Sequence, residues 1–392
     1  MSDENRLQMA TFIDDIWKVM CEKISTQRGV SVEELNAAAT SLRYININAL
    51  LESKLLDGLV YPDELASKMS ARLKDKGKLE NDKKLDEEVI SYDRYLEIVK
   101  LEDKASDVAQ VAVVYAIGGI ESGKGDDETI GSDRIAKALR DARLDDGIKA
   151  VVLRVNSPGG SALASDVIWR ETELIKQSGK VFVVSMGDYA ASGGYYISCG
   201  ADRIFAQPNT ITGSIGVFGI IPNLQNFLDH KLGITFDSYK THPHANMMTL
   251  TSPLDTTQKR AMQDMVSNIY NDFTSKVAKG RNISQAYVDS IGQGRVWSGE
   301  DALTIGLVDE LGGLREAIAY AATKAGVSSS SVLELPELLD PLEEIINNIS
   351  GKSEDAILSR MLGSRFKNYQ DLRQLSNGGK VQTRLPFYIT VE

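Results

Sequence analysis

Two short stretches of the chain hold residue types suited to acyl chemistry. In the first, Val151-Val152-Leu153-Arg154-Val155 is an apolar run leading through Asn156-Ser157 into Pro158-Gly159-Gly160-Ser161. It reads as a buried strand, a tight turn and a helix start. Adjacent glycines let backbone N–H groups face a cleft without side-chain obstruction, and such donors near a helix N-terminus can hold the charge of a tetrahedral oxyanion. A plain tight turn has the same sequence, so this motif alone leaves both readings open. The second stretch runs Val183-Val184-Ser185-Met186-Gly187-Asp188-Tyr189-Ala190-Ala191-Ser192-Gly193-Gly194-Tyr195-Tyr196. Here a strand ends and Ser192 starts a helix between small residues that leave room for a substrate backbone. A helix N-terminus favours negative charge on the serine oxygen. A packed N-cap serine is the competing reading.

A serine nucleophile needs a base. The three histidines are His230, His242 and His244, and Thr241-His242-Pro243-His244 reads as a polar loop, so a Ser-His-Asp triad is poorly supported. The cysteines, Cys21 and Cys199, lie far apart without CxxC or Cys/His spacing, which argues against a zinc site or a disulfide framework. No metal or cofactor is expected. A net charge of -11 without a basic stripe argues against nucleic acid as a partner.

The elements that must position these residues follow from periodicity. Val111–Ile117, Lys149–Val155, Val181–Ser185 and Arg203–Ala206 read as strands. Ser132–Arg143 and Asp166–Gln177 read as helices, and Ala190–Cys199 as a helix start. Strands alternating with helices imply βαβ units and a mainly parallel sheet. The chain opens on an amphipathic helix with Ile13, Ile16, Trp17, Met20 and Ile24 on one face, ended by Arg28 and Gly29. No uninterrupted apolar stretch marks a signal peptide in residues 1–30, and no run approaches the roughly 20 residues of a spanning helix. The chain alone is expected in the soluble pool.

An internal repeat organises the whole. At an offset of 253 residues, Ile13 matches Val266, Ile16 matches Ile269, Trp17 matches Tyr270, Met20 matches Phe273 and Ile24 matches Val277. Arg28-Gly29-Val30-Ser31 matches Arg281-Asn282-Ile283-Ser284, and after a small gap Asp57-Gly58-Leu59-Val60 is set against Ile305-Gly306-Leu307-Val308. The expected organisation is a helical tail of a truncated first repeat at 1–70, a charged linker at 71–104, a complete second repeat at 105–325 and an extension at 326–392.

Asn-Ser-Pro-Gly-Gly-Ser, then Ala-Ala-Ser-Gly-Gly-Tyr-Tyr, then Thr212-Gly213-Ser214-Ile215-Gly216-Val217-Phe218-Gly219 together resemble the bacterial signal peptide peptidase A family, in its long duplicated form. The resemblance implies an α/β fold of the Clp-protease/crotonase type, a spiral of ββα units with helical oligomerisation arms. It implies a serine peptidase with Ser192 as nucleophile, Gly159, Gly160 and Gly193 as oxyanion-hole donors, and Ser214 near the base. It also implies an extended hydrophobic peptide as substrate, a homo-oligomer, and an inner-membrane protein with its catalytic part outside the cytoplasm.

The family's base is a lysine, which acts only when neutral, so burial must pull it well below its usual value of about 10.4. In short family members it sits in a loop before the long helix, a slot that here falls near Ala245, where no lysine stands. Lys240 is a few residues early and is the candidate within the chain. In the long form the first repeat donates the lysine, and the 253-residue offset sets that slot just before Met1. A separate chain would then have to supply it. Two other readings are an assembly subunit with incomplete chemistry and a crotonase-type acyl-CoA enzyme. The latter usually places acidic residues where this chain has serine and glycines.

Overall fold

The computed structural model describes residues 2–41, 47–60, 62–75, 109–236, 249–329, 331–337 and 382–384. The chain forms two compact units, one of Ile13–Val108 and one of Met1–Phe12 with Ala109–Glu392.

In the larger unit the chain repeats one scheme: a long strand in a large sheet, a short strand in a small sheet, then a helix. Strand β1 (Val111–Ile117) leads to β2 (Gly119–Glu121), β3 (Thr129–Gly131) and helix α5 (Ser132–Leu144). Next come β4 (Ala150–Ser157), β5 (Gly159–Ser161) and α6 (Ala162–Gln177). Then β6 (Val181–Ala191) runs directly into α7 (Gly193–Tyr196), followed by β7 (Arg203–Ala206) and β8 (Ile211–Gly213). This is the ββα spiral expected from the sequence. The large sheet has the order β10-β7-β6-β4-β1-β11, with β10 at Glu310–Leu311 and β11 at Val332–Leu335. Its pairs along this path are parallel. Strand β11 lies in the region set apart above as an extension, yet it pairs with β1 and completes the sheet edge.

Burial explains the apolar runs. Val111–Val114 and Ala150–Leu153 are wholly buried because helices cover both sheet faces. Alternate side chains go to opposite faces. Ala112, Val114, Val151 and Leu153 pack with Leu139 of α5 and Ile168 of α6. Val111, Val113, Ala150 and Val152 pack with Ala317 and Ala321 of α12 (Leu314–Ala325).

The repeat has a structural counterpart in detail. Helix α1 (Asp3–Arg28) and helix α9 (Thr256–Arg281) are both 26 residues long. After each comes a left-handed residue, Gly29 at φ 69° and Asn282 at φ 54°. Ser31 then caps α2 (Val32–Thr40), accepting from the Glu34 N–H, as Ser284 caps α10 (Gln285–Ile291), accepting from Tyr287. The tails correspond four residues away from the sequence match. Arg28 donates to the Lys54 carbonyl and pairs with Asp57, whereas Arg281 donates to the Gly306 carbonyl and pairs with Asp309. Lys54 and Gly306 both have positive φ. Thus Asp57 answers to Asp309, and Gly58 does not answer to Gly306. An ion pair to the helix end sets the correspondence, which a short Gly-Leu-Val match could not reveal.

The two pairs differ in burial. Arg281 is 6% exposed, and the Asp309 carboxylate also accepts from the Ile204 N–H, while Asp57 is 91% exposed. Arg281→Ala is therefore expected to cost about 3–5 kcal/mol, since it strands a partly buried carboxylate. Arg28→Ala should cost no more than about 1 kcal/mol. Denaturant midpoints of the two variants check this, and equal losses would contradict it.

In the smaller unit Cys21, Val30 and Leu35 form a core with Ile24, Val32 and Leu55. Helices α3 (Ile47–Glu52) and α4 (Pro62–Asp75) follow. The apolar face expected on α1 is only partly covered: Ile24 packs on this core, but the face is open nearer the start of the helix. Ile13, Trp17 and Met20 are 45%, 40% and 47% exposed, while Phe12 and Cys21 are buried. Among the described residues no helix is long and apolar enough to cross a membrane.

Candidate active site

The site is built by strand register. Parallel pairing of β4 with β6 sets Ser157 opposite Ala190, and pairing of β6 with β8 sets Ala191 opposite Gly213. The first brings the Pro-Gly-Gly turn beside the end of β6. The second brings Ser192 level with Ser214. Strand β6 continues through Tyr189-Ala190-Ala191, where the sequence had suggested a helix start. Pairing with β8 supplies the ladder that keeps it extended.

Ser192 sits on the turn from β6 into α7 with φ 54° and ψ −112°, fully buried. A non-glycine residue held there costs about 1–3 kcal/mol and persists only when its surroundings over-determine it. Three contacts do so. The Ser192 N–H donates to the Gly213 carbonyl at 2.8 Å, its carbonyl accepts from the Tyr196 N–H at 2.8 Å, and its hydroxyl lies 3.5 Å from the Gly216 carbonyl. The hydroxyl's single contact is long. Such a turn aims a serine oxygen out of the sheet end, as in nucleophile elbows.

Around Ser192 the other expected residues take these positions. Gly193 follows directly as the first residue of α7. Gly159 has φ 98°, and its N–H donates to Ser157 Oγ at 3.1 Å. At Gly160 a Cβ would stand 2.0 Å from the Ile120 carbonyl oxygen, so the strand contact tolerates no side chain. Ser214, also at positive φ (47°), donates its N–H to the Arg295 carbonyl at 2.7 Å. Its hydroxyl, 3.5 Å from the Gly294 carbonyl, opens on a cavity of about 280 Å³ lined also by Gly216, Val217, Phe218, Tyr270 and Gln293.

A polar cluster clamps α7 from behind. The Tyr196 hydroxyl lies 2.9 Å from Asp166 and 3.0 Å from Asp272. Lys276 pairs with both carboxylates and stands 4.4 Å from the Trp169 ring centroid. Burial and the two carboxylates push the Tyr196 phenol far up, so it stays protonated. Sequence reading missed this cluster, because its members come from α6, α7 and α9.

The base is the open position. Lys240, His242 and His244, with the slot at Ala245, lie outside the described residues. His230 is described, and its ring contacts the Asn226 carbonyl on an exposed turn. Two described lysines have shifted pKa values, and neither suits the role. Burial lowers that of Lys276, but hydrogen bonds and charges from Asp272 and Asp166 outweigh this and raise it, which keeps the ammonium charged. Lys180 is lowered by burial, yet it precedes β6 at the end opposite Ser192, roughly 30 Å away along the strand. The Cys199 thiol, pushed up to about 12 by burial, is no nucleophile at neutral pH.

Residues 175–328 match the model of peptidase family S49. The chain is 38% identical over 328 residues to a protein named Protease 4 from Haemophilus influenzae, covering 81% of this chain and 52% of that one. It is 33% identical over 260 residues to a putative protease of Synechocystis, covering 66% of this chain and 90% of the relative. The chain thus spans about half the length of the first relative and nearly all of the second. Among solved structures, a ClpP1 mutant from Listeria monocytogenes aligns with a TM-score of 0.36 and 16% identity, over 56% of this chain and 98% of that one.

Proposed function

The chain belongs to peptidase family S49, and from that premise we propose that it carries the nucleophile half of a serine endopeptidase site of the signal peptide peptidase A type. The observation that carries the reading is the strained Ser192 on the β6–α7 turn, flanked by the glycine turn of β5 and by Ser214. Family membership weighs against the acyl-CoA alternative.

In this reading Ser192 Oγ attacks the carbonyl carbon of an extended, apolar peptide and transfers its proton to a neutral amine. The new oxyanion takes hydrogen bonds from the Gly193 N–H and, once β5 gives up part of its present pairing, from the Gly160 N–H. Gly159 can join them once its N–H leaves Ser157 Oγ. Collapse of the intermediate releases the amine half of the peptide, protonated by the same base. The acyl-enzyme is then hydrolysed by water.

The amine is a lysine from outside the described residues, reaching Ser192 through the cavity beside Ser214. Its preferred source is a segment homologous to the part of a peptidase repeat that precedes α1, which the matched helices α1 and α9 support. Hydrolysis of an extended apolar peptide by the chain and by its Lys240→Ala variant tests this. Little activity is expected in either, with activity appearing when a fragment carrying the donated lysine is added. Robust activity abolished by Lys240→Ala would put the base inside the chain. A subunit that assembles without cutting is the second reading, favoured by the unsuitability of Lys276 and Lys180, and a fragment that binds without conferring activity would support it.

The partner in assembly is a second copy of the chain, seated on the exposed side of α1. Ile13→Asp with Met20→Asp is expected to lower the sedimentation coefficient to that of a monomer. An unchanged oligomer would remove α1 from the interface.

A further inference from the structure

Helix α7 is four residues long, too short to hold its own geometry, yet it begins at Ser192. Its fixing points are therefore tertiary. Gly194 rests on the end of β4, where a Cβ would stand 2.8 Å from the Ser157 carbonyl oxygen. Tyr196 fixes the other end. Its N–H closes the turn onto the Ser192 carbonyl at 2.8 Å. Its side chain, 2% exposed, packs on Phe273 of α9 with ring centroids 4.7 Å apart and meets Trp169 of α6 edge-on.

The hydroxyl on this buried ring reaches two helices at once, Asp166 on α6 and Asp272 on α9. One phenol proton faces two acceptors, and the Lys276 ammonium, paired with both carboxylates, supplies the donors the phenol lacks. Asp166 stands near the start of α6, and that start is fastened to β5. Ser161 Oγ accepts from the Ala164 N–H, and Ser165 Oγ donates to the Ser161 carbonyl at 2.9 Å. A continuous path of bonds thus runs from the glycine strand through α6 and Tyr196 to Ser192.

We propose that the Tyr196 hydroxyl is a positioning group for the reaction, which sets the Ser192 oxygen against the oxyanion donors of β5. The proposal rests on the reading of Ser192 as nucleophile. A phenylalanine ring would fill the same space between Phe273 and Trp169, but nothing would fix its tip. Two acceptors on separate helices admit one position of the phenol, and the Ser192 carbonyl, bonded to the same residue, is set with it. A displacement of about 1 Å between reacting groups costs on the order of 10²-fold in rate.

The test measures fluorophosphonate labelling of the full chain, with the adduct mapped by mass. Rates are read well below each variant's unfolding midpoint, so that loss of folded protein does not enter. Tyr196→Phe is expected to slow labelling of Ser192 by roughly 10–100-fold. Asp166→Ala should slow it too, and Asp166→Asn, which keeps an acceptor oxygen, should recover most of that loss. Because the two residues act as one unit, Tyr196→Phe combined with Asp166→Ala should be no slower than the slower single variant. Asp166 is 45% exposed, so its variants fold even if Tyr196→Phe does not, and the Asp166 pair then decides. Unchanged labelling of Ser192 in Tyr196→Phe, losses that multiply in the double variant, or Asp166→Asn no faster than Asp166→Ala would each overturn the positioning role and leave the nucleophile standing. A parent chain that takes label at another serine, or takes none, would remove the nucleophile and the proposal with it.

Discussion

Ser192→Ala is expected to abolish covalent labelling by a fluorophosphonate and to lower peptide hydrolysis, in the presence of the donated lysine, by roughly 10⁴-fold or more. The size follows from the role. Without the hydroxyl no acyl-enzyme forms, and what remains is the smaller contribution of binding and oxyanion stabilisation. Stability should move the other way or hardly at all. Ser192 occupies a φ of 54° that alanine tolerates no better, but its hydroxyl makes a single long contact, 3.5 Å to the Gly216 carbonyl. An unchanged unfolding midpoint together with lost labelling would separate chemistry from folding. Mass mapping of the wild-type adduct decides the assignment, and a label on Ser214 or another serine, with Ser192 untouched, would refute it.

The second large effect is expected at Gly160. Gly160→Ala would push a Cβ to within 2.0 Å of the Ile120 carbonyl oxygen and 2.7 Å of its nitrogen. Both are backbone atoms of β2, so no side chain can swing away. Either β5 shifts or β2 does. A shift of β5 carries its N–H groups away from the position the oxyanion must occupy, and losing one such donor typically costs about 10²–10³ in kcat. Overpacking of this kind also lowers stability by about 1–3 kcal/mol. Gly58→Ala is the control, because nothing lies within 4 Å of its Cβ position, and it should fall within about 0.5 kcal/mol of the parent. The expected signature at Gly160 is a fall in kcat at nearly constant KM, with labelling of Ser192 slowed. Full activity in Gly160→Ala would mean that β5 supplies no donor to the oxyanion.

These two positions show where local and non-local information divide. The apolar runs at Val111–Ile117 and Val151–Val155 and the helix ends at Arg28 and Arg281 were all legible in the sequence, whereas Gly159-Gly160, read as a tight turn, belong to strand β5. Each depends on neighbours within a few residues: periodicity, turn chemistry and capping act at that range. The small-residue setting of Ser192 was legible for the same reason, and so was the match of α1 with α9. What the sequence could not supply is register. Extension of β6 to Ala191 depends on Gly213, and the tail match of the two helical units depends on Arg28 reaching Asp57 and Arg281 reaching Asp309. The clamp on α7 draws Asp166, Tyr196, Asp272 and Lys276 from three helices, and the short strand Gln382–Arg384 finds β5 across more than two hundred residues of chain. By itself the sequence determined which residues could do the chemistry and which elements they sit on. Only the tertiary structure decided that Ser192 stands level with Ser214 and that its backbone is held in a strained turn. Those outcomes are set by which strands pair and in what register, and pairing energy is shared among residues far apart in the chain, so no local window contains it.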